Sequence, residues 1–204
     1  MRPVPKRTPC VVVLGGPNGA GKSTAAPFLL RDALAVTEFV NADTIARGLS
    51  AFDPDAAAIG AGRVMLARLD DLERKRSDFA FESTLASRSF APRIRRLKRS
   101  GYLVHVVFLW LPSADMAVAR VRERVRRGGH DVPTATVRRR FVRALLNFFD
   151  LYAPLGDRWR LYDSSKLQPR LIAETARGGQ PEISDEAAWQ AVRKTLEASR
   201  KAQA

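Results

Sequence analysis

The ten residues GGPNGAGKST, Gly15 to Thr24, constrain this chain more than any other stretch. They hold the spacing G-x-x-x-x-G-K-[ST] as Gly16, Gly21, Lys22 and Ser23, the pattern of a phosphate-binding loop. Successive backbone N–H groups must converge on phosphate oxygens there, and Gly16, Gly19 and Gly21 permit turns that a Cβ would obstruct. Pro17, Asn18, Ala20 and Thr24 complete the loop. Lys22 supplies a point charge to the β- and γ-phosphates, and the Ser23 hydroxyl can ligate Mg²⁺. The flanks agree with this reading. Cys10 to Leu14 is a continuous apolar run, as expected of a buried parallel strand, and Ser23 to Leu34 reads as the helix whose N-terminus completes the anion site. Pro27 falls early in that helix and should distort it.

The length of 204 residues fits one domain, 1–204, with a hydrophobic fraction of 46%. No apolar run reaches the roughly 20 residues of a membrane helix. The N-terminal stretch, basic residues followed by an apolar run, runs straight into the phosphate loop and is too short for a secretory leader, so the chain reads as cytoplasmic. A single cysteine, Cys10, excludes an intramolecular disulfide and most zinc sites. Thirty-five Lys and Arg against 21 Asp and Glu give a net charge of +14. That balance implies an anionic partner such as nucleotides, a phosphorylated metabolite or nucleic acid, or else a general preference for Arg and Ala in composition.

Further along, Thr37 to Asp43 reads as a second strand ending at a carboxylate, followed by a short helix over 44–49. A helix from Asp55 to Arg76, started by Asp53-Pro54, would bury Ile59, Val64, Leu66, Leu69 and Leu72. Asp78 to Ser83 is a strand ending at Glu82, Ser89 to Arg99 a helix, and Tyr102 to Leu111 the central strand. Pro112-Ser113 starts a helix over 114–127, GGHDVP at 128–133 is a loop, and 134–150 is helical with Val137, Phe141, Leu145 and Phe148 on one face. Segments 158–163 and 170–176 are late strands, and 184–201 is a final helix docked through Trp189, Val192 and Leu196. Strands alternating with helices imply an α/β fold with a doubly wound parallel sheet, ligands sitting at the strands' carboxyl ends.

In such a sheet Asp43 and Glu82 both fall beside the phosphate loop. A carboxylate is ionised at neutral pH, so Asp43 can accept a hydroxyl proton; it can also cap the helix that follows. Glu82 reads as a second carboxylate beside the phosphates, or else as a cap or the partner of a lid arginine. On the helix 114–127, Arg120, Arg124 and Arg127 recur at i, i+4 and i+7, and Arg138, Arg139, Arg140 and Arg143 follow the glycine-rich loop. Helix, loop and helix over 114–149 with arginines on both sides suit a lid over a triphosphate, the alternative being a solvated basic face. His130 beside Asp131 is a candidate lid or substrate contact, whereas His105 reads as a core residue. The basic run Arg93 to Arg99 lacks the interleaved aromatics of a nucleic-acid stacking platform.

GGPNGAGKST at 15–24, NADTIA at 41–46, FESTLASR at 81–88, GGHDVP at 128–133 with RRRF at 138–141, and LYDSS at 161–165 together resemble the zeta toxin family of P-loop kinases, particularly its compact members. The resemblance implies an adenylate-kinase-like P-loop NTPase fold and transfer of the ATP γ-phosphate to a hydroxyl of a small molecule. Better-known zeta toxins act on UDP-N-acetylglucosamine, and the family implies an antitoxin protein as partner. Carried over motif by motif, Lys22 and Ser23 would bind phosphate and Mg²⁺, and Asp43 would be the general base. Glu82, Thr84 and Arg88 would contact the acceptor, Arg120 with Arg124 or Arg127 would be lid arginines, and Asp163 would lie near the adenine. Two other readings stand beside this one: a kinase of another metabolite or of a nucleic-acid end, and an ATP-binding regulator that transfers no phosphate.

Overall fold

The computed structural model describes residues 7–32, 34–50, 53, 56–176 and 179–201. The basic N-terminal residues 1–6 and the expected helix start at Pro54-Asp55 lie outside them.

Among the described residues seven strands form one sheet in the order β2-β3-β1-β4-β5-β6-β7. They are β1 (Cys10–Gly15), β2 (Phe39–Val40), β3 (Phe79–Ser83), β4 (Leu103–Trp110), β5 (Arg158–Asp163), β6 (Arg170–Ala176) and β7 (Glu182–Ile183). The first five run parallel; β6 and β7 pair antiparallel along one edge. The sheet is thus mostly, not wholly, parallel. The short connection from Asp163 to Arg170 leaves no room for a crossover helix, so β6 must turn back on β5.

Helices cover both faces, which is why β1 and β4 are apolar almost throughout, with the half-buried His105 as the polar side chain of β4. Val11, Val13, Val104, Val106 and Phe108 turn to one side, where they join Met65, Leu69, Leu72, Ile94, Leu145 and Trp189. Val12, Leu14, Val107 and Leu109 turn to the other, against Leu29, Leu30, Val118, Val121 and Phe141. The helices involved are α1 (Lys22–Ala26), α2 (Ala42–Leu49), α3 (Ala58–Arg74), α4 (Ala91–Arg99), α5 (Ala114–Arg126), α6 (Thr134–Asn147), α7 (Ala153–Leu155) and α8 (Glu186–Lys201). Val137, Phe141, Leu145 and Phe148 are buried, as are Trp189, Val192 and Leu196. Ser113 caps α5 by accepting the Met116 N–H at 3.1 Å, and Asp185 caps α8 at Ala188.

Four sequence expectations change. The helix after the phosphate loop is α-helical only to Ala26 and continues as a π-helical turn over Pro27–Asp32. Pro27 carries no N–H, and the bonds that follow it reach one residue further back. The second strand shrinks to Phe39–Val40 because Asn41 caps a helix that begins at Ala42; the Asn41 Oδ1 accepts the Thr44 N–H at 3.1 Å. That role is therefore not Asp43's. On α3 the buried face is Ala61, Met65, Leu69 and Leu72, leaving Val64 and Leu66 exposed and Ile59 75% exposed. The stripe Ala61, Met65, Leu69 and Leu72 is the face that meets the core, and Ile59, Val64 and Leu66 lie off that stripe. β7 had no strand-like pattern in the sequence.

Candidate active site

The carboxyl ends of the parallel strands lie level. Leu14 pairs with Glu82, Gly15 with Ser83 and Phe108, and Trp110 with Asp163. Above these ends opens a cleft of about 460 Å³. The phosphate loop and α1 form its floor through Asn18, Gly19, Gly21, Lys22, Ser23 and Thr24. Asn41 and Asp43 of the α2 start and Glu82 to Thr84 at the end of β3 and just past it form one wall, and Arg120, Arg124, His130 and Arg140 form the other.

Gly19 holds floor and wall together. Its φ is +78°, and a Cβ there would meet the Ala117 carbonyl of α5 at 2.7 Å. Only glycine lets the loop touch that helix so closely. The contact is reinforced from the other side: Arg120 donates to Gly19 O at 3.4 Å, Ser164 O at 2.6 Å and Ser165 O at 2.7 Å. The buried Ser164 hydroxyl donates to Ala20 O at 2.6 Å. Arg120 and Ser164 thereby tie the phosphate loop to the segment after β5. Asp163 accepts the Ser165 N–H at 2.8 Å and lines a second hollow with Lys166 to Arg170.

Lys22 is 6% exposed and donates to Gly16 O at 2.9 Å and Pro17 O at 3.0 Å, with the Glu82 Oε1 3.6 Å away. Burial pulls its pKa below the usual lysine range; the Glu82 and Asp43 carboxylates oppose that shift, and Arg124 adds to it. Ser23 donates its hydroxyl to Glu82 Oε2 at 2.9 Å. Asn41 Nδ2 donates to the same two atoms, to Glu82 Oε2 at 2.6 Å and to Ser23 Oγ at 3.1 Å. Glu82 thus meets Lys22, Ser23 and Asn41; it caps no helix and pairs with no arginine of the facing wall. Asp43 is exposed in the first turn of α2 and lines the cleft.

Serine hydroxyl and carboxylate are hard oxygen donors of the kind Mg²⁺ selects. Among the described residues no three Asp, Glu, His or Cys side chains are grouped so as to hold a metal ion by themselves. The donor set therefore suits a cation that keeps waters and takes other oxygens from a bound phosphate, which is how Mg²⁺ is usually held. The N–H groups of the first turn of α1 have no intrahelical acceptors and suit phosphate oxygens.

On the opposite wall, Arg124 donates to His130 O at 2.7 Å, while its buried Nε has no partner. Gly129 makes that placement possible, since a Cβ there would meet the Arg124 Cγ at 2.5 Å. The arginine stem lies across the turn and reaches the cleft. Arg127 does not come in: it is 78% exposed and bound to Glu123 at 2.9 Å. Arg88 also lies outside the cleft lining and donates to Asn147 Oδ1 at 3.3 Å. Thr84 lies in the lining. The next residue, Leu85, is wholly buried at φ +56°, a left-handed strain that marks this turn as tightly held.

Sequence reasoning passed over Asn41 and left Arg140 undistinguished from its neighbours. Asn41 was legible in principle as an N-cap residue before Thr44. Which arginine of a run enters a cleft depends on helix phase and packing, which the run itself does not carry.

A parallel order β2-β3-β1-β4-β5 with the glycine loop following central β1 defines a P-loop NTPase fold of the kinase-like kind. A family model described as an AAA domain (AAA_33) matches residues 11–144, and the chain belongs to that family. An uncharacterized protein of Haemophilus influenzae is 31% identical over 126 residues, covering 62% of this chain and 88% of that protein. Among solved structures, the AvrRxo1-ORF1:ORF2 complex with ATP superposes with a TM-score of 0.68 at 17% identity, covering 91% of this chain and 63% of that one. The chain thus spans less than two thirds of that structure's length. The PezAT toxin-antitoxin system of Streptococcus pneumoniae gives 0.61 at 15% identity, with 95% and 88% covered. A gluconokinase of Sinorhizobium meliloti gives 0.50 at 14%, with 96% and 94% covered. At these identities the likeness is one of fold.

Proposed function

We propose that the protein is an ATP-dependent kinase that moves the γ-phosphate to a hydroxyl of a small molecule, with Asp43 as general base. One observation carries this reading: an exposed carboxylate, Asp43, shares a cleft with a buried loop lysine, a serine–glutamate pair and three arginines. Phosphoryl transfer requires charge neutralisation and an oriented acceptor more than covalent chemistry. Lys22 and the loop amides would hold the phosphates. Ser23, with Glu82 behind it, would hold Mg²⁺, which neutralises phosphate charge when bound. Arg124 and Arg140 lie where a lid would bring charge to the transferred group, and Arg120 would steady the nucleotide side. Arg127 would act only after a movement of the α5–α6 hairpin.

Thr84, His130 and Arg88 are the candidate acceptor contacts, Arg88 through the turn that Asn147 holds. A nucleotide sugar such as UDP-N-acetylglucosamine is the acceptor favoured by the motif resemblance, and a protein antitoxin is the partner favoured by it and by the complexes of the structural neighbours. Among the described residues no helix is long and apolar enough to cross a membrane, in keeping with the cytoplasmic site we propose.

The test is to incubate the protein with Mg·ATP and pooled nucleotide sugars, nucleosides, sugars and oligonucleotides, and to identify the compound that gains phosphate. Asp43→Asn is run beside it. Because Asn41 and not Asp43 caps α2, that change leaves the helix start intact. Acceptor phosphorylation should fall by about 10² to 10⁴ with nucleotide binding preserved, the usual range for a positioned base. Unchanged turnover would end the base assignment, and ATP binding without transfer to any acceptor would favour the regulator.

A further inference from the structure

Asn41 is 5% exposed and every polar atom of its side chain is engaged. Its oxygen accepts the Thr44 N–H, which fixes the orientation of the amide, since an NH₂ group cannot face an N–H. Its nitrogen then donates to Ser23 and Glu82. Capping uses only the oxygen; Ser or Thr would serve as well. The NH₂ group is the part that capping leaves unexplained.

The geometry points to Asn41 as a positioning residue that locks the Ser23 hydroxyl, the Glu82 carboxylate and the helix bearing Asp43 into one unit, and thereby sets how much a divalent cation strengthens nucleotide binding. This rests on the reading of the cleft as an Mg·ATP site. The hydroxyl of Ser23 has one hydrogen and two lone pairs. Its hydrogen goes to Glu82 and one lone pair takes the Asn41 N–H, so a single lone pair remains, with its direction determined. A hard cation needs that lone pair turned toward it, not the hydrogen. Without the amide only the bond to Glu82 restrains the hydroxyl, and the lone pair's direction is no longer fixed. Glu82 Oε2 is held by two donors, leaving Oε1 toward Lys22. Asp43 follows two residues after Asn41, so the same side chain sets the register between the proposed base and the floor of the cleft. The Asn41 oxygen is engaged by the Thr44 N–H and its nitrogen by Ser23 and Glu82, so it acts through its neighbours.

The experiment compares the parent protein with Asn41→Ser and Asn41→Thr, both of which keep a capping oxygen and lose the long amide donor. ATP affinity is measured on each folded protein with Mg²⁺ and with EDTA, together with the unfolding temperature, and kcat and KM once an acceptor is known. We expect unfolding temperatures close to the parent's and unchanged ATP affinity in EDTA. The gain in affinity on adding Mg²⁺ should shrink by about 10- to 100-fold, the range seen when residues behind a metal ligand are removed. kcat should fall more than acceptor KM rises. A full Mg²⁺ gain in both variants would reduce Asn41 to a helix cap and overturn the inference. So would an equal loss of ATP affinity with and without Mg²⁺, which would make Asn41 a support of the loop shape. Should one variant fail to fold, the other decides. A parent that binds no ATP in either condition fails in a different way: the phosphate-transfer reading falls first and takes this inference with it.

Discussion

Lys22 shows how a single residue is prepared at a cost. Its ammonium is buried beneath the loop, and two backbone carbonyls and one carboxylate hold it there. Burial disfavours the charge, and Glu82 restores part of what burial removes. A group held in this way needs no reorganisation when negative charge arrives, which is what makes preorganised cations effective. Lys22→Ala should therefore lower transfer to any acceptor by about 10² to 10³ or more, by comparison with other lost transition-state contacts. The same change leaves Gly16 O and Pro17 O without their donor, so the loop itself should loosen and ATP affinity should fall with turnover. Steady-state kinetics and ATP titration on the folded variant check both effects; near-normal turnover would sink the whole phosphate-transfer reading.

At the scale of elements, the turn after β3 depends on the end of α6. The α-helix gives way there to a π-helical turn, Phe148–Tyr152. Asn147 before it donates to Leu85 O at 2.8 Å and accepts from Arg88, and Tyr152 at its end donates to Ser87 O at 2.6 Å. Burial pushes the Tyr152 phenol up to about 12 from its usual value of 10.0, against opposing effects of the Phe90 backbone and Arg88. A raised acid is one whose neutral form the fold prefers. That preference is fully present below pH 10.0 and is lost as pH rises through about 12. Tyr152→Phe keeps the ring and removes only the hydroxyl, so it should cost about 1 kcal/mol at neutral pH. The difference between parent and variant should narrow as pH rises above 10.0. Urea unfolding at pH 8 and 11 measures this, and the other buried tyrosines cancel in the difference. The two π-helical turns also show what was legible. Proline at 27 announced the first, whereas nothing local announces the second, because it turns Asn147 and Tyr152 toward a loop 62 and 65 residues away in sequence. Central strands, the phosphate loop and the face of α6 were readable because apolar runs and glycine spacing are local signals. The phase of α3 was not, since Ile59, Val64 and Leu66 look as buriable as Met65 until the sheet selects a face. The same holds for the cleft: Lys22, Ser23, Asp43 and Glu82 were placed by strand ends, but Asn41 and Arg140 became visible only once the walls were packed.

For the whole molecule the question is what a charge of +14 is for. Much of the basic charge is spent within the fold. Arg93 and Arg96 meet Asp70 and Glu73, Arg126 and Arg127 meet Glu123, Arg138 meets Asp115, and Arg200 meets Asp150. On the α5–α6 hairpin, Arg122, Arg139 and Arg143 are exposed and have no carboxylate partner among the described residues. Arg124 and Arg140 line the cleft beneath the same hairpin. The cleft's own arginines, Arg120, Arg124 and Arg140, would draw an anionic nucleotide and acceptor inward. The alternative, a nucleic-acid surface, makes a different demand. Binding that neutralises several phosphates along a strand falls steeply with salt, by orders of magnitude between about 50 and 200 mM for six to ten contacts. Binding of one nucleotide in a cleft involves fewer charges and depends on salt less. We expect a fluorescent oligonucleotide to bind weakly at low salt, to be released by moderate salt, and to be displaced by ATP because both anions occupy the same arginines. Titrations at several salt concentrations, with and without Mg·ATP, measure all three. Tight oligonucleotide binding that ATP does not disturb would locate the anionic partner outside the cleft and favour the kinase of a nucleic-acid end over that of a small metabolite.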